Sequence, residues 1–586
     1  MIEQLITDHL DLWSSAVRPK SSAGRGSNSK LELTGIKKLR ELILELAVRG
    51  KLVPQDPNDE PASVLLERIA AEKARLVKEG KLKKSKPLPE ITEEEIPFEL
   101  PEGWMWCRVG SITNASTGYA FKSSQYVDTG TFVLRVTNIN PNGTINKDDN
   151  KYISPESADN EFENFKLSDG DVLLVMVGGS LGKLGVVCEA VLPAVLNQNM
   201  WKLDRFCGMP IRYFLFVLQY INNNEITVTS STHGHLAQGD YMEKMCPLAP
   251  LNQQHRIVAK VDELMSLCDQ LEQQSEASLA AHQTLVETLL TTLTESADSS
   301  DLAQNWARLA QYFDSLFTTQ SSIDALKQTI LQLAVMGKLV PQDPSDEPAS
   351  VLLERIAAEK ARLVKEGKIK KEKPLPPISE EEKLFRIPDS WCFCRLGDIC
   401  DGITSGSTPP KEKFSHDEGV PFLKVYNIRD QKIDFDYEPQ FVEKDYNDSK
   451  LKRSMLYPGD VVMNIVGPPL GKVAIIPSNF PVWNCNQAIV FFRPIDMGLN
   501  KHIYTYLKAG LFLASIELIG TAGQDNISVT KSRLIVLPMP PLKEQLRIAD
   551  RIEQLLSLCD QLSARLQASQ TTQLNLAEAL VEGALN

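Results

Sequence analysis

The sequence predicts an α+β chain in which two β-rich domains are joined by long antiparallel, coiled-coil-like helices, with internal two-fold pseudo-symmetry. Three observations predict it. Residues 50–84, GKLVPQDPNDEPASVLLERIAAEKARLVKEGKLKK, return as 337–371 with only Asn58/Ser345 and Leu82/Ile369 changed. PLNQQHRIVAKVDELMSLCDQL at 250–271 returns as PLKEQLRIADRIEQLLSLCDQL at 541–562. Between these repeats, 101–250 and 388–541 match each other only faintly. A frame that repeats around inserts that diverge is one scaffold presenting two different modules.

At 586 residues the chain is too long for a single core, and ordinary domain sizes give about three to five compact units. The expected divisions are a helical region 1–100, a first variable domain 101–250, and a central helical region 251–387. A second variable domain, 388–541, and a final spacer helix, 542–586, complete the chain.

Taken in order, residues 1–17 read as a short amphipathic helix, and RPKSSAGRGSNSK (18–30) as a flexible linker. Ile36, Leu39, Leu42, Ile43, Leu46 and Ala47 recur at helical spacing, with Gly50 placed to end the helix. Their apolar face, and that of 323–336, are candidate docking surfaces. VPQDPNDEPAS forms an elbow in which Asp59 or Ser63 caps a helix over 61–80. KLKKSKPLPEITEEEIPFELPEGW follows as an extended connector whose KLKK could touch phosphate. From Trp104 the runs 132–139, 171–178, 185–192 and 199–203 alternate with Gly, Asn and Asp turns, which predicts strands. A helix over 211–223 follows them.

After Pro250 a long helix carries Ile257, Leu264 and Leu271 every seven residues, beside Val261 and Cys268. Its copy carries Ile548, Leu555 and Leu562 beside Ile552, Cys559 and Leu566. Such seams predict two helices that pack on each other as a rigid spacer, each about 60 Å long for about 40 residues. The second half repeats the plan, and its variable domain opens at Trp391.

The net charge of −13 argues against a simple basic DNA-binding protein. If nucleic acid is bound, local clusters and partner subunits must supply the phosphate attraction. The ten cysteines show no zinc spacing and read as reduced, packed thiols. No apolar run approaches a membrane span and the N-terminus lacks a signal peptide, so a cytoplasmic chain is expected.

A search for catalytic motifs returns almost nothing. GGSLGK (178–183) and GPPLGK (467–472) lack the length and the Ser/Thr of a phosphate loop and read as turns between strands. There is no HExxH, no GxSxG and no Asp/Asn-Pro-Pro-aromatic tetrapeptide. What recurs is a polar set: Arg135 and Asn138 match Lys424 and Asn427, Lys183 matches Lys472, and Asn197-Gln198 matches Asn486-Gln487. The loops that differ are 116–126 and 230–239 in the first domain, 404–413 and 520–531 in the second. Their side chains match base edges in the major groove. The candidate DNA-reading residues in them are Lys122, His233, His235, Lys411, Gln524 and Asn526.

The repeated GKLVPQDPxDEPASVLLERIAAEKARLVKEGK block, the PLxxQxRI opening of each spacer helix and the tandem layout resemble the specificity subunit of type I restriction–modification systems. The extension ahead of the first repeat resembles the branch with longer subunits. The resemblance implies that each variable domain is a target-recognition domain reading one half of a bipartite, asymmetric site in double-stranded DNA. Two modification subunits would dock on the repeated frame, bring S-adenosylmethionine and methylate adenine. Two motor-nuclease subunits would add ATP- and magnesium-dependent translocation and cleavage. The chain itself would bind no cofactor or metal and catalyse nothing, and its near-identical repeat would be two equivalent docking surfaces. The competing reading is a protein-interaction scaffold that binds no nucleic acid. A stand-alone DNA-modifying enzyme is disfavoured by the missing motifs.

Overall fold

The computed structural model describes residues 2–19, 31–84, 86–225, 235–297, 299–415, 417–467, 469–516, 519–521 and 524–585. The chain forms two compact units. Met1–Arg18, Glu32–Ser275 and Thr572–Asn586 make the first; Pro19–Leu31 and Glu276–Thr571 make the second. Each unit holds one frame helix, one β-rich domain, the start of the spacer helix that leaves that domain, and the end of the other spacer helix.

In the first unit two helices, Ile2–Thr7 and Leu10–Ser15, stand where one was expected. Most of the linker, residues 20–30, lies outside the described residues. The frame helix Thr34–Val48 buries Ile36, Leu39, Leu42, Ile43 and Leu46. The second, Gln320–Val335, buries Ile323, Leu326, Ile330 and Leu333. These apolar faces are therefore not free for partners: internal packing consumes them. The elbow helix runs Ala62–Lys78 with Pro61 before its first turn, and neither Asp59 nor Ser63 caps it. Asp59 instead pairs with Arg256 at 2.5 Å.

Both variable domains are built on one plan. In the first, strands Thr113–Thr117, Met200–Arg205, Val172–Val175 and Leu184–Val186 lie side by side in that order, all antiparallel. In the second the order is Cys400–Ser405, Ile489–Pro494, Val461–Asn464, Val473–Ile475, again antiparallel. A smaller sheet contains one parallel pair in each: Thr131–Leu134 with Ala194–Leu196, and Val420–Leu423 with Asn484–Cys485. Each domain is closed where its ends meet as a two-stranded ribbon. Met105–Arg108 pairs with Met245–Leu248, and Cys392–Arg395 pairs with Val536–Met539. Valine, leucine and phenylalanine on the central strands are buried on both faces, so these strands read as continuous apolar runs.

The spacer helices run Leu251–Glu295 and Leu542–Leu585. Their apolar seam is shared with the frame helix. In the second unit Val286, Leu290 and Leu293 of one spacer, Cys559 and Leu562 of the other, and Ile323, Leu326 and Ile330 of the frame form one cluster. Lys327 pairs with Asp560 at 2.6 Å and Arg547 with Asp346 at 2.6 Å, so the departing spacer runs antiparallel to the frame helix. His282 against the Ser315 carbonyl (3.1 Å) and Lys338 on the Thr294 carbonyl (2.7 Å) show that the arriving spacer runs parallel to it. The first unit repeats each contact at the matching position: Arg40 with Asp269 at 2.7 Å, Arg256 with Asp59, and Lys51 donating to the Leu585 carbonyl at 2.6 Å.

Candidate nucleic-acid interface

Each domain gathers its polar loops at one edge, where the central strands end. In the first domain the chain leaves Thr117 and passes so close to Asn197 that a Cβ on Gly118 would collide with that carbonyl. Tyr119 then bridges to Asn197 in parallel. In the second, Gly406 meets the Cys485 and Asn486 carbonyls in the same way, and Thr408 donates to Gln487. Only glycine permits this approach. It brings loops 118–126 and 406–413 against the matched Asn-Gln pairs.

The 3₁₀ turns after the parallel strands, Val136–Asn138 and Val425–Asn427, form the second wall of the edge. The Asn138 side chain accepts the Arg135 backbone N–H at 2.9 Å, and Asn427 accepts that of Lys424 at 2.9 Å. Asn427 also donates to the Tyr437 carbonyl at 2.8 Å. Both asparagines are buried, at 0% and 1% exposure. They brace the turn and present nothing to a base, so the expectation that they read DNA is corrected here. Their repetition is a folding signal.

Other candidates are partly engaged. Arg135 reaches Asp149 at 2.7 Å. Lys183 donates to the Ile139 carbonyl, tying the Gly182 turn to the 3₁₀ turn. Lys424 lies over the rings of Phe414 (5.4 Å) and Tyr426 (5.8 Å), where its charge is held by two π faces. Burial raises the Tyr426 phenol above its usual range, which keeps it a neutral donor. Lys472 uses its backbone N–H on the Asn464 side chain at 2.6 Å. Gly182 and Gly471 carry φ of 79° and 75°, which accounts for the recurrence of those glycines as turn geometry.

Lys122 and Lys411 are exposed at the mouths of the two divergent loops. His235 and Asn526 prove to be counterparts. His235 bridges to Val177 and Asn526 to Val466, and the next residue in each case donates its N–H across, Leu236 to Met176 and Ile527 to Ile465, both at 2.9 Å. His235 is exposed, while Asn526 is half-buried with an Oδ1 that has no hydrogen-bond partner among the described residues. Gln524 sits in the hairpin of Ile519–Thr521 with Gln524–Asn526, its side chain outside the described residues, as is all of His233. Arg429 and Arg453 were not anticipated. Arg429 stacks on Tyr437 at 4.2 Å, and Arg453 reaches Ser407 at 3.5 Å. A count of cations beside the loop 404–413 could have found them.

No group of His, Cys, Asp and Glu among the described residues has the geometry to hold a metal ion, and no described helix is long and apolar enough to cross a membrane. The edge therefore offers donors, cations and rings in a shallow row, which suits hydrogen bonding to a polyanion.

The type I restriction modification DNA specificity domain matches the chain twice, at residues 101–281 and 388–569. The chain is 42% identical to the type I restriction enzyme EcoEI specificity subunit of Escherichia coli, over 100% of both chains. It is 41% identical to the EcoAI specificity subunit of the same organism, again over 100% of both. Among solved structures it is similar to an HsdS subunit from Thermoanaerobacter tengcongensis, at 17% identity and a TM-score of 0.38, covering 84% of this chain and 98% of that one. With the family domain covering both halves and relatives aligned end to end, the chain belongs to the specificity subunits of type I restriction–modification systems, with the long subunits of that family.

Proposed function

We propose that the two edges each read one half of a bipartite, asymmetric site in double-stranded DNA, and that the chain addresses partner subunits to it without catalysing a step itself. The observation that carries this reading is the matched edge: one framework of Gly118/Gly406, Asn138/Asn427 and Val177/Val466, bearing unlike side chains at Lys122 and Lys411, Arg135 and Lys424, His235 and Asn526. A fixed framework with exchanged tips is what two different half-site sequences require, because base edges are told apart by donor and acceptor placement. As in its relatives, the chain works with modification and restriction subunits. Two copies of each are proposed, matching two frames, and S-adenosylmethionine, ATP and magnesium would be bound on those partners. The setting proposed is the cytoplasm. The spacer helices would fix the number of unread base pairs between the half-sites.

Substitution separates the halves. Lys122→Ala is expected to relax or abolish methylation at one half-site, and Gln524→Ala at the other, each by about 1–3 kcal/mol of discrimination for a lost base contact. The measurement is methylation mapping on randomised targets with the assembled complex. Loss of both half-sites from one substitution, or of neither from both, would overturn the assignment.

A further inference from the structure

The chain contains two kinds of repeat, and they differ in what they preserve. In the frame helices the matched positions that stay identical include the buried Ile36/Ile323, Leu39/Leu326, Ile43/Ile330 and Leu46/Leu333. Positions reached by solvent have drifted: Lys37/Asp324, Lys38/Ala325, Glu41/Gln328 and Glu45/Gln332. Internal packing explains that pattern. The elbow helices behave otherwise. Ala62–Lys78 and Ala349–Lys365 are identical at all 17 positions. Yet only Ala62, Leu65 and Ile69, with Ala349, Leu352 and Ile356, are buried. Nothing inside either unit constrains Ser63, Glu67, Ala70, Ala74 or Lys78, which are exposed in both copies.

We propose that the stripe Ser63, Glu67, Ala70, Ala74, Lys78 and its copy Ser350, Glu354, Ala357, Ala361, Lys365 each dock a helix of the modification subunit. This rests on the reading that the chain assembles with two copies of that partner. The spacing i, i+4, i+7, i+11, i+15 places the five on one face. Alanines at its centre let a second helix approach to about 8 Å between axes. Glu67 and Lys78 at the two ends call for a base and an acid at matching positions on the partner helix.

Location separates this stripe from DNA. Lys73 donates to the Thr113 carbonyl at 2.8 Å and Cys207 donates its N–H to Glu72 at 3.0 Å, so the helix lies where Thr113–Thr117 begins and Met200–Arg205 ends. The recognition edge lies at the opposite end of the same strands, about 13 Å away for four residues of strand. Lys360 on the Cys400 carbonyl, 3.0 Å, repeats the placement in the second domain. Burial pulls Lys73 and Lys360 below the usual lysine range; both charges face inward onto carbonyls. The exposed stripe, with one acid and one base, carries no net charge for a phosphate backbone, and a protein surface fits it better.

The test uses the co-expressed complex with Ala70→Glu and Ala74→Glu, with Ala357→Glu and Ala361→Glu, and with all four. Glutamate keeps helix propensity close to alanine's, so the melting curve of the chain should not move. Native mass measurement should show one modification subunit lost from each two-site variant and both from the four-site variant, with affinity lowered about tenfold or more. Retention of both subunits at wild-type affinity would refute the docking site. So would a variant that keeps both subunits but loses specific DNA binding, since that would assign the stripe to DNA. If the glutamate variants fail to fold, Glu67→Ala with Glu354→Ala should weaken assembly about threefold or more, and unchanged assembly overturns the proposal. Failure of the functional reading is distinguishable: the wild-type complex would then assemble and methylate no bipartite site.

Discussion

His502 and Tyr213 fill one position in the two domains and solve the same problem differently. Tyr213 accepts the Ala249 N–H at 2.9 Å and points at the Pro247 carbonyl, while His502 sits 2.7 Å from the matching Pro538 carbonyl. Burial pushes the His502 imidazole down to about 4, so the folded state holds it neutral. A base with a depressed folded pKa binds fewer protons than the unfolded chain. Its stability is complete above about 6.5 and is lost as pH falls toward 4, by about 3 kcal/mol in all. His502→Gln, whose amide can still donate to Pro538, should flatten the loss of melting temperature between pH 6.5 and pH 4; an unchanged slope would place that loss elsewhere. At this scale the sequence was least legible. Arg135, Asn138, Lys424 and Asn427 recur together, and recurrence alone cannot separate a base contact from a turn brace. Burial separates them, and it depends on chain segments distant in sequence.

Among the elements, the spacer helices show what periodicity tells and what it omits. Seven-residue spacing of Ile257, Leu264 and Leu271 predicted the helix and its buried seam, and Leu251–Glu295 carries it. Periodicity cannot name the partner across a seam, and the frame helix takes much of it. The ends of these helices are tied by side chains: Lys338 donates to the carbonyls of Thr294 (2.7 Å) and Ser296 (3.0 Å), satisfying acceptors that the helix cannot satisfy itself. Burial lowers the Lys338 pKa, yet the two acceptors keep its ammonium useful at neutral pH. Lys338→Met should cost about 1–3 kcal/mol and speed hydrogen exchange in the last turn before Glu295. Equal exchange in both proteins would show that the lysine contributes nothing there.

For the whole molecule, the balance of 63 basic against 76 acidic residues sets how it can hold DNA. Each neutralised phosphate steepens the salt dependence of binding by about 0.9 in log–log slope. The chain alone should show a slope several units shallower than the chain with its modification subunits, measured by titration across a range of salt. Equal slopes would mean that the acidic chain supplies all the phosphate contacts. Tandem organisation was legible at this scale because a repeat needs no energetics to read. That each unit borrows a segment from the far end of the chain was not, since sequence separation hides which distant segment completes a core.

That borrowing has a consequence for biosynthesis. Lys51 meets Leu585 across 534 residues, and Leu574 and Ala577 are buried in the first unit. At ribosomal rates that interval lasts roughly half a minute to two minutes. Until then the first frame helix lacks the segment that covers it, although its own domain has long since emerged. The nascent chain therefore carries an exposed apolar groove through most of translation. A chaperone would meet the first half as an unfinished fold and the second, made later, as one nearly ready to close.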